Sequence, residues 1–270
     1  MLLGSSITSN DCFESKNSFC SFAAIVAKGH EECGDSIFVY ADEEKAIFAV
    51  FDGVSGEKNS SNASAQAASI CLEKLKKLTF PSESDLVAVI SLASDSISAG
   101  YTTAAILFLT KKGDFAISSV GDSPIYSVSK DYEISCELPI GRVVGEKDAV
   151  FKFIQYRNYV TSVLGKSGKD IQINTRIGKV EKGTSFILCS DGLSDNLYFE
   201  SREGQVYDSE GLTDLFYLIK ESIEKNKSPK SIVDLLYSEI LSRFSKGRDE
   251  SGNKILVPKE DDISIIFVRL

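Results

Sequence analysis

The sequence predicts one α+β domain in which antiparallel β-hairpins and pairs of helices form separate layers. Two β-branched and aromatic runs, 36–40 and 46–51, flank the polar stretch Ala41–Lys45, which is typical of a hairpin. Two helical patterns then follow each other directly, over 63–78 and 84–98. Because strands and helices come in groups and do not alternate, this order favours layers of antiparallel sheet and helix over a βαβ sheet.

The rest of the chain continues both patterns. Ser84 is the expected N-cap of the second helix, and Ser228 followed by Pro229 is expected to open the last one. The polar, Ser- and Asn-rich residues 1–18 predict a flexible lead-in, so that residues 19–270 form a single domain. Further helices are predicted at about 211–225 and 229–244, and further strands over 20–27, 104–110, 115–120, 125–129, 185–189 and 263–269.

Composition narrows the range of functions. The 270 residues carry a formal net charge of -9, which argues against binding to nucleic acid or to an anionic membrane. The chain has no apolar run of the ~18 residues that a membrane helix needs and no basic-then-apolar start, so we expect a cytoplasmic protein. We also expect a monomer. The six cysteines lack CxxC or CxxH spacing, which predicts reduced thiols and neither a zinc site nor a disulfide framework.

Aspartates recur where the predicted strands begin or end. Asp35 begins the strand 36–40, and Asp52 ends the strand 46–51, so a hairpin centred on Glu43-Glu44 places the two carboxylates opposite each other. Directly opposed side chains lie about 4.5–5.5 Å apart at Cβ. Like charges at that distance are destabilising unless a cation or a proton lies between them.

Three further aspartates repeat this placement. Asp191 follows the strand 185–189, Asp261 precedes the last strand, and a turn at Lys112-Gly113 would place Thr103 opposite Asp122. A single Asp-Gly pair after a strand is an ordinary turn signal, and that interpretation stays open for each instance. The repetition after very apolar strands favours a carboxylate cluster. Oxygen ligands without nearby histidine predict Mg²⁺ or Mn²⁺ and not zinc.

These residues also belong to an ordered set of motifs. The set resembles the metal-dependent serine/threonine protein phosphatases, the type 2C or PPM family, and spans residues 20–270. The resemblance implies a sandwich of two antiparallel β-sheets flanked by helix pairs. In chain order the motifs are Gly29–Ser36 (GHEECGDS), Val50–Gly56 (VFDGVSG), Gly100–Ala104 (GYTTA), Val120–Ser123 (VGDS), Leu188–Asn196 (LCSDGLSDN) and Asp261–Ser264 (DDIS).

The resemblance implies a hydrolase that removes phosphate from phosphoserine and phosphothreonine in a protein substrate. Asp52 would bridge two Mn²⁺ or Mg²⁺ ions, the Gly53 carbonyl would bind one of them, and Asp191 and Asp261 would complete the shell of the other. Two ions about 3.5–4 Å apart activate a bridging water. The resulting hydroxide would attack phosphorus without a covalent intermediate, and the three aspartates would act by holding that water through the metal.

The resemblance also implies supporting residues. Asp122 and Asp195 correspond to residues that hold a third, weaker ion, and Asp35 to one that supports the cluster. Where the family carries an arginine that grips the substrate phosphate, this chain has His30. Histidine could contact phosphate but lacks the bidentate guanidinium fork.

Other departures from the family motifs are Ser55, Tyr101 and Asp262, the last of which adds a charge beside the cluster.

Three interpretations of the function therefore remain open. The ordered motifs favour an active phosphatase. A catalytically weak, regulatory member of the same fold would still bind metal or phosphoprotein. An unrelated acidic, cation-binding domain would lack the two-sheet sandwich.

Overall fold

Two six-stranded antiparallel sheets form the centre of the molecule. The computed structural model describes residues 2–3, 12–29, 32–141, 157–165, 171–197, 199–200, 206–207, 218–245 and 259–270. In spatial order the first sheet contains β1 (Leu2–Leu3), β4 (Ser36–Ala41), β5 (Lys45–Phe51), β6 (Ala104–Thr110), β7 (Asp114–Val120) and β10 (Asn174–Lys179). The second contains β2 (Phe13–Lys16), β3 (Ser21–Ala27), β14 (Ile263–Arg269), β11 (Ser185–Cys189), β8 (Ile125–Val128) and β9 (Ile134–Cys136). A separate ribbon pairs β12 (Phe199–Glu200) with β13 (Val206–Tyr207).

Helices cover the outer face of each sheet. The first sheet packs against α1 (Ser60–Leu75) and α2 (Glu83–Ser96). The second packs against α4 (218–224) and α5 (Pro229–Ser245). A short helix, α3 (Asp191–Ser194), continues into a 3₁₀ turn over Asp195–Leu197. The predicted α+β class is confirmed, as is the sandwich with helix pairs that the family resemblance implied.

Three apolar layers hold this arrangement together. Alternate residues of facing strands point between the sheets, where Phe22 of β3 meets Phe48 of β5 edge-to-face, with ring centroids 5.1 Å apart. The opposite face of the first sheet packs on apolar residues of α1 and α2, and that of the second on α5. Because both faces of the central strands are buried, these strands are continuously apolar, which is why they stand out in the sequence.

The beginning of α2 corrects one expectation. Its N-cap is Ser82 and not Ser84, and the helix runs over Glu83–Ser96. The Ser82 hydroxyl accepts a hydrogen bond from the Asp85 amide (3.1 Å), and the Asp85 carboxylate accepts one from the Ser82 amide (2.9 Å). Both serines suit a cap, but only Ser82 has an acidic residue three positions later to complete the capping box.

Two short strands lie within residues 1–18, which the sequence pattern treats as a lead-in. β1 pairs with β4, and β2 pairs with β3. Phe13 of β2 packs edge-to-face on Phe22, with centroids 6.4 Å apart. None of the six cysteines forms a disulfide in this structure; four are buried, Cys12 is partly buried and Cys136 is exposed. Within the described part of the chain, no helix combines the length and apolar character needed to cross a membrane.

The layer between the sheets should account for much of the stability. Replacing the fully buried Phe48 by alanine is expected to lower the free energy of unfolding by about 3–5 kcal/mol, because a large ring is lost from a close-packed interior. Val87→Ala on the exposed side of α2 is the matched control, with an expected change of about 0.5 kcal/mol or less. Urea unfolding of both variants measures the difference. Equal losses would contradict the assignment of Phe48 to the core.

Candidate active site

The open end of the β4–β5 hairpin carries the first two predicted site residues. Ser36 pairs with Phe51 as the last pair of the ladder, and Asp35 and Asp52 are the next residue on each side, which is the register that the sequence predicts. The Asp52 amide donates to Thr103 Oγ1 (3.1 Å), and its carbonyl accepts from the Thr103 amide (2.8 Å). These bonds fix the backbone of Asp52, and its carboxylate lines a cavity at the end of the sheet.

The neighbouring β6–β7 hairpin brings Asp122 to the same cavity, although its register differs from the prediction. Ala104 pairs with Val120, which places Thr103 beside Gly121 and not opposite Asp122. The prediction assumed a two-residue turn, whereas the connection has three residues and ends at Gly113 with a positive φ of 80°. This is the usual three-residue hairpin loop, and it shifts the pairing by one residue.

Asp191 and Asp261 come from the second sheet. Next to Cys189 and Ile265, the last pair between β11 and β14, the Ser190 amide donates to the Ser264 carbonyl (3.0 Å), and the Ser264 amide donates to Ser190 Oγ (3.0 Å). Asp191 then begins α3. A side chain at Gly192 would collide with the backbone of residue 262, so a glycine is required for the two segments to approach this closely. The strand ends thus bring Asp191 and Asp261 to one place.

Lys259 connects these aspartates, and sequence reasoning missed it. Its ammonium forms an ion pair with Asp191 Oδ2 and lies 3.0 Å from Asp261 Oδ2 and 3.8 Å from Asp195 Oδ2. The Lys259 side chain is 12% exposed. Asn196 holds the backbone of Lys259, because its side-chain oxygen accepts from the Lys259 amide (2.8 Å) and its side-chain nitrogen donates to the Lys259 carbonyl (2.9 Å).

One cavity of about 290 Å³ gathers four of the predicted residues. Asp195 is fully buried behind it, next to Lys259, and Asp35 is also buried. Gly53 lines a neighbouring cavity together with Gly34. His30 lies outside the described residues. The cavity is lined by Asp52, Val54, Ser55, Thr103, Asp122, Asn158, Val160, Asp191, Lys259, Glu260 and Asp261.

Burial and mutual repulsion dominate the electrostatics. Burial raises the pKa of Asp52, and the carboxylates of Asp191, Asp35 and Asp261 raise it further. Burial and the neighbouring Asp262 likewise raise the pKa of Asp35. Burial alone would lower the pKa of Lys259, but Asp191, Asp195 and Asp261 outweigh it, so the pKa lies well above its usual range. The Lys259 ammonium is therefore charged in this cluster.

A second cation lies close to the same carboxylates. Arg157 is 8% exposed, and its burial lowers the pKa of the guanidinium even though Asp195, Asp191 and Asp261 favour its charge. The buried carboxylates still outnumber the two cations, which makes the region attractive to a further positive charge.

The donor set fits a hard divalent cation. The acidic side chains around the cavity offer only oxygen, and Asp35 Oδ2 is buried without a hydrogen-bond partner among the described residues. Within those residues, no three His, Cys, Asp or Glu side chains converge as ligands of one ion would. The Lys259 ammonium lies instead between Asp191 and Asp261.

Two departures from the family motifs have structural roles. Asp262 accepts the Gly29 amide on Oδ1 (2.7 Å) and the Gly34 amide on Oδ2 (2.6 Å). It thus binds both ends of the segment that contains His30. Ser55 Oγ donates to Asp261 Oδ1 (3.2 Å) and orients that carboxylate.

Asp262→Asn should loosen the 29–34 segment, because an amide offers one acceptor oxygen to two backbone donors. We expect a loss of about 1–3 kcal/mol in the free energy of unfolding and faster hydrogen exchange at the Gly29 and Gly34 amides. Glu260→Gln, an exposed change two residues away, is the control. Unchanged exchange at both glycines would contradict the clamp.

The raised pKa of Asp52 predicts a pH dependence of stability in the metal-free protein. The unfolded carboxyl titrates at about pH 4, so above that pH the folded state binds more protons at this site than the unfolded state. Its contribution to the free energy of unfolding therefore falls from about pH 4 upward, until the pH passes the raised pKa. Urea unfolding in EDTA at several pH values should show the native chain losing stability relative to Asp52→Asn, which cannot titrate. A relative gain over this range would contradict the prediction.

Comparisons with solved structures agree with the two-sheet fold. The serine/threonine phosphatase Stp1 from Staphylococcus aureus is 16% identical, with 93% of this chain and 94% of that chain covered and a TM-score of 0.69. The S. agalactiae serine/threonine phosphatase is 14% identical, with 93% and 100% covered and a TM-score of 0.66. RsbX in complex with magnesium is 20% identical, with 96% and 100% covered and a TM-score of 0.63.

The family assignment rests on a comparison of the sequence with models of protein families. A search among curated protein sequences gave no match. Residues 26–237, however, match the family model described as Protein phosphatase 2C. Since that match covers more than half of the chain, the chain belongs to the protein phosphatase 2C family of protein serine/threonine phosphatases.

Proposed function

We propose that this chain hydrolyses phosphoserine and phosphothreonine in a protein substrate, with two or three Mn²⁺ or Mg²⁺ ions as cofactors. The observation that carries the proposal is that four buried carboxylates, two from the end of each sheet, line one cavity of about 290 Å³. Oxygen-only donors of this kind suit Mg²⁺ and Mn²⁺. Membership in the family supports a divalent metal, and the related RsbX was crystallised with magnesium.

The proposed metal ligands come from opposite sheets. Asp52, whose backbone is fixed by Thr103, would be shared by the two ions. Asp191 and Asp261 would hold one ion from the second sheet, and the Gly53 carbonyl would hold the other. Bound divalent cations supply an activated water and neutralise the phosphoryl oxygens. The chain contributes by keeping these carboxylates at a fixed separation on rigid strand ends.

The remaining residues have supporting roles in this proposal. Asp122 and Asp195 hold a third, weaker ion, and Asp35 supports the cluster from its buried position. Asn158, an exposed amide at the cavity, is available to contact the phosphoprotein, and His30 is the proposed phosphate contact. We propose that the domain over 19–270 acts as a cytoplasmic monomer.

A regulatory member with weak turnover is the second candidate. The observation that favours it is the Lys259 ammonium among the proposed ligands, where a positive charge already neutralises part of the cluster. Such a protein would keep the fold and bind phosphoprotein with little hydrolysis.

Phosphate release from a phosphothreonine peptide tests the proposal. The native chain should be active with Mn²⁺ or Mg²⁺ and inactive in EDTA. Asp52→Asn should lower the rate at least about 100-fold, because the neutral amide weakens the hold on both ions. Asp114→Asn, at the far turn of the β6–β7 hairpin, is the matched control and should keep the native rate.

The alternatives give different results in the same assay. A native chain that binds Mn²⁺ in a calorimetric titration but releases no phosphate would support the regulatory candidate. An Asp52→Asn variant as active as the Asp114→Asn control would overturn the proposed role of the cluster.

A further inference from the structure

Lys259 places a positive charge among the residues proposed to hold the divalent ions. Its ammonium forms an ion pair with Asp191 Oδ2 and lies 3.0 Å from Asp261 Oδ2. These are the two carboxylates that the proposed function assigns to one ion. Asp195, assigned to the third ion, is 3.8 Å away. A single side chain thus contacts proposed ligands of two different ions.

The oxygen lone pair that accepts from an ammonium is not available to a divalent cation at the same time. The two positive charges would also lie within a few ångströms of each other in a largely buried region, where their repulsion is strong. A divalent cation that binds Asp191 and Asp261 is therefore expected to displace the Lys259 ammonium from its present position.

The surroundings of Lys259 allow such a movement without a change of fold. Two hydrogen bonds from the Asn196 side chain fix the Lys259 backbone. On the other side, the Asp262 carboxylate anchors the backbone, because it accepts from the Gly29 amide (2.7 Å) and the Gly34 amide (2.6 Å). The lysine side chain has four rotatable bonds and is partly exposed, so its ammonium can turn toward the cavity and solvent while its backbone stays in place.

We propose that Lys259 is a built-in competitor of the divalent cation. This inference rests on the proposed function, because it assumes that Asp191 and Asp261 are metal ligands. In the metal-free protein the ammonium neutralises Asp191, Asp195 and Asp261, and it stabilises a cluster that would otherwise bury uncompensated charge. Because the ammonium is tethered, it competes at a high effective concentration. Lys259 thus lowers the affinity for the metal and sets the concentration at which the site fills.

Mn²⁺ affinity measured by calorimetry tests the competition without any assay of activity. Lys259→Met keeps most of the unbranched side chain and removes its charge, so we expect at least about tenfold tighter Mn²⁺ binding. Lys259→Arg keeps the charge and is the matched control, with an affinity close to that of the native chain. Arg157 is present in all three proteins, so the comparison isolates the charge at position 259.

Thermal unfolding gives a second readout. In EDTA, Lys259→Met should unfold at a lower temperature than the native chain, because its carboxylates lose their counter-ion. Saturating Mn²⁺ should remove or reverse that difference.

A measurement on the native chain covers the case in which Lys259→Met does not fold. With lysines labelled at ¹³Cε, the resonance that is missing in Lys259→Arg belongs to Lys259. Titration with diamagnetic Mg²⁺ should shift this resonance along the binding curve. A resonance that does not move while Mg²⁺ binds would overturn the inference.

The outcomes separate this inference from the proposed function. If neither the native chain nor Lys259→Met binds Mn²⁺, the proposed metal site itself is wrong. If both bind with equal affinity, or Lys259→Met binds more weakly, metal binding stands and only the competition by Lys259 is refuted.

Discussion

The crowding of buried carboxylates at one end of the sandwich is the constraint on which the rest of the site depends. Seven aspartates there are each less than 10% exposed: Asp35, Asp52, Asp122, Asp191, Asp195, Asp261 and Asp262. An ionised carboxylate without compensation in such a place costs several kcal/mol. The chain compensates by local means, with backbone amides for Asp262, a hydroxyl and the Lys259 ammonium for Asp261, and protonation favoured at Asp35 and Asp52. Each of these interactions would also affect how a divalent cation binds at the proposed site.

The three apolar layers make this concentration of charge tolerable. The strands that end in aspartates are buried along almost their whole length, so their ends are held by packing and not by the polar residues themselves. Residues on such strands keep their separation when a ligand enters or leaves, which is the condition for catalysis by positioning. Stability and site geometry therefore come from different parts of the same strands.

Sequence reasoning succeeded where a simple periodicity decides the structure. The Asp35–Asp52 pairing followed from two apolar runs and a polar turn, and the observed register agrees. Thr103 was misplaced by one position, because a three-residue loop ending in a positive-φ glycine is hard to tell from a two-residue turn. Lys259 was missed for a different reason. In the run Lys259–Asp262 every residue is charged, which is typical of a solvated surface. The ion pairs with Asp191 and Asp261, which come together only in the fold, show that the Lys259 side chain is directed inward.

The departures from the family motifs differ in whether they add a charge to the site. Asp262 brings an additional negative charge, but two backbone amides bind it, so its charge serves to fix the segment that contains His30. Ser55 adds no charge and orients Asp261. Lys259 lies outside these motifs. Unlike Asp262 and Ser55, it contacts the same carboxylate oxygens that are proposed to bind the ions. An active phosphatase and a weak regulatory member would then share one fold and one set of aspartates. On the proposed function, the distinction between them would be the balance, at Asp191 and Asp261, between a tethered single charge and a divalent cation from solution.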